Sequence, residues 1–303
     1  MLGFDEDGNA LEVSRNVLEK EKENVKVWAH RGLSMNFPEN TLISFEAAAM
    51  VPGLTGVELD VQRTKDGKLV VFHDEKVDRV TKEKGYIKDF TLSELQNTEF
   101  KTDSDAPGRR LKYANDNRDI AKIYEKFCDG QYKLKVRPFI PTFKQVLDCL
   151  KPYCEKNHLM INVELKTSIV RYEGIEQETY NEIAEAGMAD YIVYSSFLDD
   201  SIRIMKEIDG GVETGMLADP LSETIKLGDK VKCDDYHPYI KKLDVSVPEI
   251  EELKKNHRII RAWNMEEPLY NSGKVLSDLD YRNFAVWGIT DIFVNTAELY
   301  CCK

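Results

Sequence analysis

Four short stretches carry the residue types that do chemistry. VKVWAHRG (25–32) is an apolar run that ends in His30-Arg31-Gly32, and GVELDVQ (56–62) interleaves Glu58, Asp60 and Gln62 with Val57, Leu59 and Val61. TKDGKLVVFHD (64–74) finishes in His73-Asp74, and INVELK (161–166) interleaves Asn162, Glu164 and Lys166 with apolar residues. Successive side chains of a strand point to opposite faces, so each polar set shares one face. If these strands are buried on both sides, Glu58, Asp60 and Glu164 converge, and unpaired carboxylates in such a place are costly. A divalent cation relieves that cost, and carboxylate oxygens are hard donors that suit Mg2+ or Ca2+. The alternative is an internal salt-bridge network with Lys166 and Arg31. His30 and His73 add two imidazoles able to act as base and acid near neutral pH. Arg31 and Lys166 suit the nonbridging oxygens of a phosphate, so the combined set fits phosphoryl chemistry.

Those residues need a scaffold that gathers several strand ends. Strand patterns at 25–30, 56–62, 159–165, 191–196, 212–217, 258–263 and 290–295, with a weaker one at 235–240, alternate with helical patterns such as TLISFEAAAM, PTFKQVLDCLK and IEQETYNEIAEAG. Eight such units over about 250 residues predict an α/β fold, a (β/α)8 TIM barrel, whose active residues emerge at the C-terminal strand ends. Asp66-Gly67 between two β-like runs predicts a tight hairpin that presents His73 at the end of the return strand. Residues 97–138 read as a small insertion after the second strand, with more Lys and Arg than Asp and Glu. Its position predicts cover over the barrel mouth, with Phe100, Tyr113, Tyr124, Phe127 and Tyr132 as an apolar wall for an alcohol group. A solvated loop with one helix is the plainer reading. Residues 1–24 end in EKEKEN and predict a solvated helical extension outside a barrel domain of 25–303.

With 42 Lys and Arg against 54 Asp and Glu, the 303-residue chain carries a net charge of -12. That balance argues against general nucleic-acid binding, which needs a basic face. The acidic N-terminus does not read as a signal peptide, and no apolar run is long enough to span a bilayer. The expectation is a cytoplasmic protein without stable membrane insertion, its oligomeric state left open. Six cysteines without CxxC spacing read as reduced thiols, Cys301-Cys302 forming an exposed tail.

The ordered set AHRG, PENT, ELDVQ, DG, VVFHD, IPTF and VELK resembles the glycerophosphodiester phosphodiesterase family, metal-dependent barrels related to phosphatidylinositol-specific phospholipase C. The resemblance covers residues 25–300 and is densest over 28–74. It implies His30 and His73 as the acid-base pair, Arg31 as a phosphate ligand, and Glu58, Asp60 and Glu164 as holders of the metal. The family's Glu-Asn pair falls on Glu39 and Asn40; Glu39 supports His30 or Arg31, or equally caps the following helix. Trp263 matches the family's tryptophan near the seventh strand end, where it packs on glycerol or serves as ordinary aromatic packing. The implied reaction is hydrolysis of a small-molecule glycerophosphodiester to glycerol 3-phosphate and an alcohol through a cyclic glycerol phosphate, with His30 the first base. Departures at AWNM and at Asn295-Thr296 are expected to lie away from the metal and the histidines and to bear on the leaving-group pocket. The alternatives are a lysophospholipase D-like or sphingomyelinase D-like enzyme, or a phosphodiester-binding relative without turnover.

Overall fold

The computed structural model describes residues 25–101, 118–129, 133–239, 245–256, 258–263 and 288–301. Its strands are β1 (Lys26–His30), β2 (Gly56–Arg63), β3 (Leu69–Val71), β4 (Met160–Leu165), β5 (Ile192–Ser196), β6 (Glu213–Ala218), β7 (Asp235–Pro238), β8 (Ile259–Trp263) and β9 (Asp291–Val294). Its helices are α1 (Leu42–Ala49), α2 (Leu92–Asn97), α3 (Arg118–Phe127), α4 (Phe143–Asn157), α5 (Ile175–Ala186), α6 (Asp199–Ile208), α7 (Leu221–Val231), α8 (Val247–Lys255) and α9 (Ala297–Cys301). All strands but β3 run parallel in the order β1-β9-β8-β7-β6-β5-β4-β2, and pairing of β1 with β2 closes the ring. This is the predicted (β/α)8 barrel, and all eight predicted strand segments take part in it.

The helices form where apolar residues recur three and four apart. In α4, Phe143, Val146, Leu147, Leu150 and Cys154 make one buried face, and a capping box between Thr142 and Gln145 starts the helix. Against that layer pack the outward residues Val57, Leu59 and Val61 of β2 and Ile161, Val163 and Leu165 of β4. Each such buried side chain contributes about 1.5–3 kcal/mol. The same alternation sends the polar residues of both strands into the barrel. The predicted hairpin is present: β2 and β3 pair antiparallel, with Val61 opposite Val71 and Arg63 opposite Leu69, around Gly67 at φ +74°.

The barrel floor is charged. Arg261 on β8 bonds Asp235 at the start of β7, Glu213 at the start of β6 at 2.6 Å and Asp291 at the start of β9 at 3.5 Å. Trp28 on β1 donates to the same Asp291 carboxylate at 2.7 Å, and its ring lies under the guanidinium, 5.0 Å away. Above this layer Gly215 leaves room for His237, since a Cβ there would meet the imidazole at 2.3 Å.

A satellite core of Val70, Phe72, Val77, Val80, Ile87, Leu95, Phe100 and Ile140 packs beside the hairpin. Within the insertion, α3 turns Tyr124 and Phe127 onto Phe37, at 5.5 and 5.7 Å between rings, and Tyr124 donates to Asn36 at 2.7 Å. Phe100, Tyr124 and Phe127 are therefore packing residues and no wall for an alcohol: two compact clusters bury them. Tyr113 and Tyr132, with the rest of segments 102–117 and 130–132, and the 1–24 extension lie outside the described residues. Cys301 is likewise no exposed tail, because α9 packs it against the main core; Cys302 lies outside the described residues. The described cysteines are unbridged. Among the described residues no helix is long and apolar enough to cross a membrane.

Replacing Arg261 by Met leaves Asp235 and Asp291 buried without their cation, a loss of about 3–5 kcal/mol. Burial already pushes the Asp235 carboxyl up to about 8, against the lowering by Arg261. A carboxyl with a folded pKa above its unfolded value of about 3.9 stabilises the fold in acid and loses that contribution as pH rises through the folded pKa. Without Arg261 that folded pKa rises further, so the gap in urea midpoint between wild type and Arg261→Met is expected to widen from about pH 8 to about pH 10, where wild-type Asp235 ionises against the guanidinium and the variant's carboxyl does not. A gap that narrows over this range would show that the floor carboxylates do not depend on Arg261.

Candidate active site

The registers of β1, β2 and β4 bring the acids together. His30 lies beside Glu58, and Asp60 beside Glu164, as Cα partners in parallel pairs. Among the described residues, Glu58, Asp60 and Glu164 each offer a carboxylate oxygen within 4.8 Å of the other two, and all three residues are buried. One oxygen of each is held by the protein. Arg31 N donates to Glu58 Oε2 at 2.9 Å, Asn40 Nδ2 to Asp60 Oδ2 at 2.8 Å, and Lys166 Nζ lies 2.8 Å from Glu164 Oε1. Glu58 Oε1 and Asp60 Oδ1 are left buried without a hydrogen bond. The salt-bridge alternative thus exists in part: Lys166 also lies 3.8 Å from Asp60, and Arg31 Nε lies 3.7 Å from it. It does not satisfy the cluster. Burial, then repulsion from Asp60 and Glu164, pushes the Glu58 carboxyl well above its usual range. Two orphaned hard oxygens with a third carboxylate beside them fit a divalent cation.

The loop after β1 supplies the groups that hold this cluster. Arg31 and Asn40 both adopt left-handed backbone, at φ 57° and 56°, and Asn40 N donates to Arg31 O at 3.0 Å. Non-glycine residues take that conformation at a cost, which the surrounding bonds must offset. Thr41, whose hydroxyl accepts from Ser44 N, caps α1, so the capping reading of Glu39 is set aside. Glu39 instead accepts from Arg31 Nη1 at 3.1 Å. Burial works to raise Glu39, but bonds from Arg79 and the Arg31 charge outweigh it and hold the carboxyl at about 2. Burial likewise opposes the charge of Arg31, yet Glu39, Asp60 and Glu58 leave its pKa raised.

Both imidazoles are fixed through Nδ1. His30 Nδ1 lies 2.8 Å from Asn295 Oδ1, just beyond β9, which also accepts from Ser34 at 3.2 Å. His73 Nδ1 lies 2.6 Å from Asp74 Oδ1. Acceptor oxygens at Nδ1 place the proton there and leave Nε2 as the working atom. Burial, with the Arg31 charge beside it, holds His30 down to about 3, so its resting form is neutral. The Gln62 amide nitrogen donates to Phe72 O at 2.8 Å and to Asp74 O at 2.7 Å, fixing the backbone on both sides of His73. Trp263, at the end of β8, packs between Tyr239 at 4.6 Å and Phe197 at 6.0 Å. Asn264 and Met265 lie outside the described residues.

Of the ten residues singled out in the sequence, His30, Glu164 and Trp263 lie at C-terminal strand ends, Arg31, His73 and Lys166 just beyond them, Glu58 and Asp60 within β2, and Glu39 and Asn40 in the loop before α1; nine gather around the acid cluster, and Trp263 sits in its own aromatic group. Sequence reasoning missed Asp74, Arg79 and Asn295 as partners of these groups. For Asp74 the adjacent His was a usable signal; Asn295, expected to lie away from the histidines, instead holds His30 Nδ1 from 265 residues away, because β9 closes the ring beside β1.

Comparison with known proteins is consistent across three kinds of match. The model of the glycerophosphoryl diester phosphodiesterase family matches residues 30–298. A glycerophosphodiester phosphodiesterase of Caldanaerobacter subterraneus subsp. tengcongensis is 35% identical over 242 residues, 79% of this chain and 85% of the relative. One from Bacillus altitudinis is 30% identical over 271 residues, 89% of this chain and 94% of the relative. Among solved structures, a phosphodiesterase of Oleispira antarctica in complex with the product sn-glycerol-3-phosphate has a TM-score of 0.64 at 22% identity, covering 92% of this chain and 96% of that one. That last likeness is one of fold.

Gly32 tests the loop geometry directly. It sits at φ +79°, and a Cβ there would meet Ser44 Oγ at 2.5 Å and Ser44 O at 2.8 Å. Gly32→Ala is expected to cost about 1–3 kcal/mol through left-handed strain alone, more with the clash, measured as a lower urea midpoint. An unchanged midpoint would contradict this path for the chain after β1.

Proposed function

The chain belongs to the glycerophosphoryl diester phosphodiesterase family, and on that premise we propose that its barrel mouth hydrolyses glycerophosphodiesters by His30/His73 acid-base catalysis beside a divalent cation. The observation that carries this reading is the pair of imidazoles, each tied at Nδ1 to a fixed oxygen, flanking a buried acid cluster with two unbonded oxygens.

Glu58, Asp60 and Glu164 would hold Mg2+ or Ca2+, which supplies Lewis-acid neutralisation of charge gathering on the phosphate. Arg31 and Lys166 bind the nonbridging oxygens. His30, neutral and with Nε2 free to accept, removes the proton from the glycerol 2-hydroxyl. That oxygen attacks phosphorus in line as the bond to the leaving alcohol breaks. His73, held at Nδ1 by Asp74, delivers a proton from Nε2 to the departing oxygen. Water then opens the cyclic glycerol phosphate with the two roles exchanged, giving glycerol 3-phosphate. The product held by the Oleispira antarctica relative supports the same product here.

In an assay of glycerol 3-phosphate release from choline, ethanolamine and glycerol diesters, His30→Ala and His73→Ala are each expected to lower kcat by about 100-fold or more. Near-wild-type turnover by either variant would remove that histidine from the mechanism. Cation binding is read separately from activity. Ca2+ or Mg2+ at about 100 times its Kd is expected to stabilise chelator-treated wild type by about 2.7 kcal/mol, and not Asp60→Asn. An equal stabilisation of Asp60→Asn would place the cation elsewhere.

A further inference from the structure

Arg79 takes no part in the proposed reaction, yet it does something that none of the residues in it does. It uses both edges of its guanidinium at once. Nε donates to Asp74 Oδ2 at 2.6 Å and Nη2 to Asp74 Oδ1 at 3.0 Å, while Nη1 donates to Glu39 Oε2 at 2.8 Å and Nη2 to Glu39 Oε1 at 2.6 Å. The first carboxylate is the partner of His73 Nδ1, and the second is the partner of Arg31. Paired forks of this kind fix geometry as well as charge.

We propose that Arg79 is a positioning residue that holds His73 for proton delivery to the leaving alcohol, by locking Asp74 against Glu39. The need for a lock follows from the chain. His73 and Asp74 are sequence neighbours, and in an extended strand neighbouring side chains point to opposite faces. Their contact occurs in a bend beyond β3, and the Asp74 side chain is 26% exposed, free to turn to water unless something fixes it. Arg79 can fix it because its own backbone is anchored. It ends a short 3-10 turn, Val77–Arg79, whose Val77 is buried in the satellite core together with the next residue, Val80. Val77 N donates to Gly85 O and Gly85 N to Asp78 Oδ1, each at 3.0 Å. The Arg79 side chain is itself 48% exposed, so the pairs are weak sources of stability. Their effect lies in orientation.

This inference rests on the reading of His73 as the acid, and the experiment separates the two. Arg79→Ala, Arg79→Lys and His73→Ala are assayed with Mg2+ on glycerophosphoethanolamine, whose alkoxide must be protonated, and on a p-nitrophenyl glycerophosphodiester, whose phenolate leaves without a proton. Arg79→Ala is expected to lower kcat about 10- to 100-fold on the first substrate, the scale for loss of a supporting partner, and less than about 3-fold on the second. Methylguanidinium is expected to restore part of the first rate and methylammonium none. Arg79→Lys, which keeps the charge but cannot fork, should fall between wild type and Arg79→Ala, and serves alone if the alanine variant does not fold. Equal losses on both substrates, or no loss, in a folded Arg79 variant while His73→Ala discriminates between them would overturn the proposal alone. Failure of His73→Ala to discriminate would overturn the assignment of the acid, and this proposal with it.

Discussion

Three carboxylates held together on two neighbouring strands are the constraint on which the site depends. Their burial follows from period-2 alternation: once Val57, Leu59 and Val61 pack outward, Glu58 and Asp60 have nowhere to point but in. The loop after β1 then takes its unusual shape around them. Its backbone places Arg31 N on Glu58, and its second left-handed residue places Asn40 on Asp60. Local strain is accepted where it supplies donors to buried anions.

Floor and mouth of the same barrel treat buried acid in opposite ways. At the floor a resident guanidinium, Arg261, reaches three carboxyl groups and stacks on Trp28. At the mouth Lys166 and Arg31 approach but leave Glu58 Oε1 and Asp60 Oδ1 without a bond. A permanent countercharge suits a layer that must never open. An incomplete one leaves Glu58 Oε1 and Asp60 Oδ1 able to accept a divalent cation, which a resident guanidinium would exclude.

The legible part of the fold was the part governed by short-range periodicity. Alternation in GVELDVQ and INVELK revealed the acids, and Asp66-Gly67 revealed the hairpin that carries His73. Partners joined only by the closed ring were not legible. Asn295 reaches His30 through the β1–β9 pairing, and no local pattern marks it. Arg79 was hidden for another reason: in a chain with 32% charged residues, one more exposed arginine carries no signal until its two acceptors are seen. The aromatic residues of the insertion misled because composition does not separate a side chain that lines a pocket from one that packs a core. Only the approach of Tyr124 and Phe127 to Phe37 decides it.

Closure by β9 also orders events in time. His30 stands on the first barrel strand, yet its hydrogen-bond partner and one of its two flanking strands arrive with residues 291–295. During synthesis nearly the whole chain must leave the ribosome before this imidazole has its tautomer fixed. Contacts so distant in sequence carry a large loop-closure cost and form late. Completion of the ring and fixing of the His30 imidazole therefore become the same event.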